Sequence, residues 1–105
     1  MTIHGIELDS PAMRDFCQKW KIDELSVFGS ILREDFQPDS DIDFLVTYDR
    51  NATWDLYDAQ IMREELAALV GRPVDLISRS AIERSDNRFV KKEVLSTAEP
   101  VYAKR

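Results

Sequence analysis

Residues 27–46 read VFGSILREDFQPDSDIDFLV, and they limit the fold more sharply than any other stretch of the chain. Gly29 and Ser30 follow directly on the apolar run of Leu25, Val27 and Phe28. Asp41-Ile42-Asp43 then opens a second apolar run, Phe44-Leu45-Val46. The pattern predicts two strands joined by a connection that begins with Gly-Ser and ends with two carboxylates. Residues two apart in a strand point to the same face. Asp41 and Asp43 therefore project together, while Ile42, Phe44 and Val46 turn the other way into a core. Two carboxylates on one face repel each other and cost stability unless something compensates. A divalent cation is the usual compensation: magnesium takes oxygen ligands, often one or two carboxylates plus substrate phosphates.

The glycine and serine suit the same chemistry. Gly29 lacks a Cβ, so the chain turns sharply there and its backbone can approach a ligand closely. Ser30 adds a hydroxyl and a backbone N–H at the start of a short helical turn expected over residues 30–33, and such donors suit phosphate oxygens. A third carboxylate, Asp75, lies between apolar neighbours in a separate expected strand. If that strand pairs beside residues 41–46, Asp75 faces the same side as the other two. Three carboxylates and a phosphate-binding turn form the donor set of a two-metal site for phosphoryl or nucleotidyl transfer. Arg33 is a candidate phosphate contact, because its charged fork matches phosphate oxygens. It fits equally well as a surface ion pair with Glu34, Asp35 or Asp39.

The remainder of the chain supplies a scaffold. Ser10-Pro11 marks a helix start, followed by Ala12, Met13, Phe16, Cys17 and Trp20 at helical spacing. Cys17 falls in that stripe as a core filler. His4 has no Cys or His partner at metal-ligand spacing and is assigned no role. Thr53 is expected to cap a long helix over residues 54–70 that Gly71 stops. Ala59, Met62, Leu66, Leu69 and Val70 share one face of it. Trp54, Tyr57 and Ile61 share a second, which is either further core or an apolar patch for a partner. A third strand is expected over residues 73–77 and a turn over 80–83. Asp86 is expected to cap a last helix, and Val101-Tyr102 to return as an edge strand. This order predicts an α+β domain over residues 1–105: a small mixed or antiparallel sheet with helices packed on one face.

Charge and cysteine content narrow the setting. The net charge is −6, with 16 acidic and 7 basic side chains over residues 1–78 against 4 and 7 over residues 79–105. An acidic body argues against general nucleic-acid binding, which needs clustered Lys and Arg against phosphates. The basic segment of Arg79, Arg84, Arg88, Lys91 and Lys92 reads as a solvated face or as a receiver of phosphate or an acidic partner. Cys17 is the one cysteine, so no internal disulfide forms. With no apolar run near the ~20 residues of a membrane span and no signal-peptide layout at the start, a cytoplasmic protein without membrane contact is the default expectation.

Gly-Ser, ten residues and Asp-x-Asp together resemble the signature of the DNA polymerase β nucleotidyltransferase superfamily. More narrowly, Phe28-Gly29-Ser30, Arg33 and Pro38-Asp39-Ser40-Asp41-Ile42-Asp43 resemble the minimal nucleotidyltransferases, antitoxin-like partners of HEPN-domain toxins. Gly71-Arg72-Pro73-Val74-Asp75-Leu76 is similar to the segment where that family carries its third carboxylate. Glu34 departs from the family's frequent Gly after the arginine. The resemblance implies a polymerase β-like fold in which Asp41 and Asp43 hold two magnesium ions and Asp75 serves as further ligand and proton acceptor. It implies that Gly29 and Ser30, with Arg33, cradle the triphosphate of a nucleotide, most readily ATP. It further implies transfer of AMP to a hydroxyl of a HEPN-type toxin. Two alternatives stay open: a module that neutralises its partner by binding alone, and nucleotidylation of a small molecule.

Overall fold

The computed structural model describes residues 2–104. Its central element is a four-stranded sheet formed by β3 (Ile22–Phe28), β4 (Ile42–Tyr48), β5 (Val74–Ser78) and β6 (Glu99–Ala103), in the order β5-β4-β3-β6. A two-stranded hairpin, β1 (Thr2–Ile3) and β2 (Ile6–Glu7), precedes it. The helices are α1 (Pro11–Lys19), α2 (Leu56–Val70), α3 (Arg79–Glu83) and α4 (Arg88–Thr97), with a 3-10 turn at Gly29–Leu32. β3 pairs antiparallel with both β4 and β6, whereas β4 and β5 run parallel, so the sheet is mixed. The parallel pair follows from the connection: α2 carries the chain from the end of β4 back to the start of β5.

The expected strands all form; β4, β5 and β6 lie within two residues of their expected bounds, while β3 starts at Ile22, three residues before the apolar run that opens at Leu25. The edge position of β6 accommodates Pro100, which has no N–H for a ladder; the β3–β6 register shifts between Leu25 and Ser26, opposite that proline.

Helix starts differ in two places. α2 begins at Leu56, and Asp55 rather than Thr53 caps it, because Asp55 and Asp58 form a reciprocal capping box. Trp54 is thereby left outside the helix. Its ring meets Trp20 edge-on at 5.2 Å, and its Nε1 donates to the Trp20 carbonyl at 3.1 Å. α4 is capped by Asn87 rather than Asp86, the Asn87 Oδ1 accepting from the Val90 amide at 3.1 Å. At the other end of α2, Gly71 takes φ +75, the left-handed cap that its sequence position implied.

The alternation of β4 divides the interior in two. Ile42, Phe44 and Val46 join Leu25 and Val27 in the main core, closed by Met13, Phe16 and Cys17 of α1 and Met62 and Leu66 of α2. Phe28 and Leu45 point to the opposite face, where Ile82 of α3 and Val94 of α4 form a smaller cluster. Helices thus cover more than the one face expected: α1 and α2 close the main core, and α3 and α4 shield part of the other side. Leu45 is the reason, since a Leu on that side of a central strand needs an apolar cover. The second stripe of α2 splits: Ile61 and Trp54 pack against the core, and Tyr57 is exposed.

The hairpin was not foreseen. His4 and Gly5 both adopt positive φ, +51° and +76°, the two-residue turn geometry that matches strand twist.

Candidate active site

The two faces decide where the carboxylates go. Asp43 alternates with the core residues Ile42 and Phe44 and so projects on the face of Phe28 and Leu45. In the parallel pair of β4 and β5, Asp43 and Asp75 are register partners, which places their side chains on the same side of adjacent strands. Asp41 stands immediately before β4 and is exposed. Burial first, and then the charges of Asp75 and Asp41, push the Asp43 carboxyl above its usual range. All three carboxylates therefore share one electrostatic neighbourhood. The Asp75 Oδ1 accepts from the Leu76 amide at 3.1 Å, which fixes part of its orientation.

Gly29 closes the site on the other side. It has φ +76, and a Cβ built on it would lie 2.6 Å from the Asp43 Oδ2. The missing side chain is thus the space that the Asp43 carboxylate uses. Ser30 hydroxyl donates weakly to the Asp41 carbonyl at 3.5 Å, tying the turn to the chain entering β4. The turn and the Asp-x-Asp segment are in contact, as their positions at the abutting ends of antiparallel strands require.

Arg33 lies outside this contact. It is exposed, and among the described residues its guanidinium has no carboxylate partner; the ion pairs with Glu34, Asp35 or Asp39 do not form. It lines a cleft of about 350 Å³ with Phe28, Gly29, Leu32 and three residues of α4, Glu93, Val94 and Thr97. Glu93 and Thr97 carried no sequence signal, since nothing local tells which face of α4 meets the turn. A larger hollow of about 690 Å³ lies at the far end of β3 and β4, around Asp23, Tyr48, Asp49 and Lys104. It is shallower, and none of the residues above reaches it.

The donor set suits a hard divalent cation: oxygens alone, one of them seated in a pocket that a Cβ would fill, and like charges that a cation would relieve. Among the described residues, no three His, Cys, Asp or Glu side chains are drawn tightly enough to enclose an ion. The carboxylates are neighbours, not a closed shell.

The nucleotidyltransferase domain family matches residues 12–99, a span that contains Gly29, Ser30, Arg33, Asp41, Asp43 and Asp75. Over 82 residues the chain is 30% identical to the protein adenylyltransferase MntA of Thermococcus cleftensis, covering 78% of this chain and 81% of that one. Its fold is similar to that of a crystal structure of a toxin–antitoxin with AMP-PNP, with a TM-score of 0.66 at 20% identity, covering 90% of this chain and 73% of that one. It is also similar to a chain in the complex of tri-AMPylated Shewanella oneidensis HEPN toxin with MNT antitoxin, with a TM-score of 0.54 at 22% identity, covering 89% and 65% of the two chains. With the family matched over most of its length, the chain belongs to the nucleotidyltransferase domain family.

Proposed function

We propose that this chain transfers AMP from ATP to a hydroxyl of a partner protein, and that the partner is a HEPN-type toxin which it restrains as an antitoxin. The observation that carries the reading is the Asp43 carboxylate lodged against the Cβ-less face of Gly29, with the Asp41 and Asp75 charges beside it. The Thermococcus relative bears the name protein adenylyltransferase, and the similar Shewanella complex contains an AMPylated HEPN toxin.

In this reading Asp41, Asp43 and Asp75 hold magnesium, which when bound stabilises charge on the attacking and leaving oxygens of an in-line displacement. The chain's own groups do the rest. Gly29 and Ser30 offer backbone N–H groups to the β and γ phosphates, with Arg33 free at the cleft mouth to meet a phosphate oxygen. Asp75 takes the proton as the partner's hydroxyl oxygen bonds to the α-phosphorus and pyrophosphate departs. The acceptor hydroxyl arrives on another protein, as the AMPylated HEPN toxin in the similar Shewanella complex suggests.

The test is to incubate the chain, its cognate HEPN partner, ATP and magnesium, and to weigh the partner by mass spectrometry. An AMP-sized gain that disappears with Asp43→Asn supports the reading. A tight complex with no added mass, using each common nucleoside triphosphate, refutes transfer. It would favour neutralisation by binding, for which exposed Leu56 and Tyr57 on α2 are apolar contacts at hand.

A further inference from the structure

The eight residues 33–40, between the 3-10 turn and Asp41, contain no helix or strand, yet they lead the chain into Asp41. Two side chains from distant parts of the sequence close on this loop and meet at its own Phe36. Arg72, just past the α2 cap, places its guanidinium 4.7 Å from the Phe36 ring centroid. Its Nη1 donates to the Gln37 carbonyl at 3.1 Å and to the Ser40 carbonyl at 3.3 Å. His4, at the hairpin tip, stacks on the same Phe36 ring at 5.0 Å, and its Nε2 bonds the Arg33 carbonyl at 2.8 Å. The loop also folds on itself: the Ser40 amide donates to the Gln37 carbonyl at 3.1 Å, and the Gln37 amide to the Ser40 Oγ at 3.2 Å. The residue after Arg72 completes the grip, the Pro73 carbonyl accepting from the Ile42 amide at 3.1 Å.

We infer that Arg72 is a positioning residue: with Phe36 and His4 it latches the loop so that Asp41 is held in register with Asp43, preorganising the carboxylates. The functional half of this inference rests on the nucleotidyltransfer reading; the latch itself does not. The physics favours arginine at this place. Its Nη1 donates to two carbonyls while the guanidinium carbon stands over an aromatic ring, a combination that suits the delocalised, weakly hydrated charge of arginine. Ser40 is the residue before Asp41, so freeing its carbonyl releases the segment that aims that carboxylate. Ser30, on the opposite side, holds the Asp41 carbonyl only weakly at 3.5 Å, which leaves Arg72 as the stronger tether.

Two measurements test the idea. Amide hydrogen exchange of the free protein reads the latch. Arg72→Ala should speed exchange at Gln37 and Ser40 by about tenfold or more, the scale of one lost hydrogen bond from a charged donor. Amides of Leu25 and Val46 in the central strands should keep wild-type rates. Uptake of manganese in the presence of ATP, followed by electron paramagnetic resonance, reads the site. Arg72→Ala should weaken it by at least about fivefold, the lower end of typical coupling between sites, and Arg72→Gln, which keeps donors without the charged plane, should fall between. His4→Ala and Phe36→Leu carry the same expectations and replace Arg72→Ala if that variant does not fold. Unchanged exchange at Gln37 and Ser40, or an equal rise throughout the sheet, overturns the latch. A loosened loop with wild-type manganese uptake overturns its role at the site. If the wild-type chain takes up no manganese with ATP, the nucleotidyltransfer reading fails, and exchange alone decides the latch.

Discussion

Replacing Gly29 with alanine tests the tightest contact in the site. The backbone at Gly29 has φ +76, and an L-residue in that left-handed conformation costs roughly 1–2 kcal/mol. The added Cβ would also stand 2.6 Å from the Asp43 Oδ2, so the carboxylate must swing aside or the turn must open. Because that oxygen ends a short, rotatable side chain, the second cost should lie near the low end of the coupling between touching residues, about 1 kcal/mol. Gly29→Ala should then destabilise the wild-type chain by about 2–3 kcal/mol. In the Asp43→Ala background, where the obstacle is gone, it should cost only the roughly 1–2 kcal/mol of the backbone. At about 5 °C per kcal/mol for a domain near this size, the melting temperature should fall by roughly 10–15 °C in the first case and 5–10 °C in the second. Urea and thermal melts followed by the fluorescence of Trp20 and Trp54, which touch each other at the core edge, measure both. Equal costs in the two backgrounds would refute the contact. A neutral or stabilising Gly29→Ala would refute the left-handed turn itself.

Three further outcomes follow from the same structure. Asp43 has its carboxyl pushed above the ordinary 3.8 by burial and by Asp75 and Asp41. The folded state therefore binds its proton more tightly than the unfolded state, and the domain loses stability as pH rises through that window. In metal-free buffer Asp43→Asn should be more stable than wild type at pH 7, with the difference closing in urea melts as pH falls toward 3.8 and below. Leu66 is fully buried between α2 and the sheet, so Leu66→Ala should cost about 2–5 kcal/mol, visible as a large drop in the urea midpoint. Asp55→Ala removes the α2 cap and should cost about 1 kcal/mol with little change in the slope of the urea melt.

How much of this was legible depended on range. Strand alternation placed Asp43 opposite Ile42 and Phe44, and the apolar flanks of Asp75 placed it on the matching side of β5, because a period of two leaves one choice once the core face is known. The contact between Gly29 and Asp43 depends on the pairing of β3 with β4, which sets Phe28 opposite Asp43, a register the sequence did not specify. Capping was harder: Thr53, Asp55 and Asp58 all carry acceptable oxygens, and what decided was the reciprocal box of Asp55 and Asp58, which leaves Trp54 outside the helix to bond the Trp20 carbonyl. The latch of Arg72, Phe36 and His4 was invisible because its members come from three segments with no shared pattern. His4-Gly5 between Ile3 and Ile6 does carry a hairpin signal, a two-residue turn ending in Gly, but the strands it joins are two residues each, too short to show an alternation.

β4 does two jobs with one strand, and the arrangement explains why the site tolerates three neighbouring acids. Its even-numbered residues, Ile42, Phe44 and Val46, are at most 1% exposed and anchor the main core. Its odd-numbered residues face the opposite side, where Leu45 is capped by α3 and α4 and Asp43 is left at the open end. Cohesion comes largely from one face and repulsion is confined to the other, so the unfavourable charges strain the site without loosening the core. The same division predicts how damage separates: a cavity beneath Phe44 should unfold the chain, whereas a change at Asp43 should alter ion and nucleotide binding while the fold stands. A chain that put its acids and its core on the same face of β4 could not keep the two apart, because each desolvated carboxylate there would need its own buried partner.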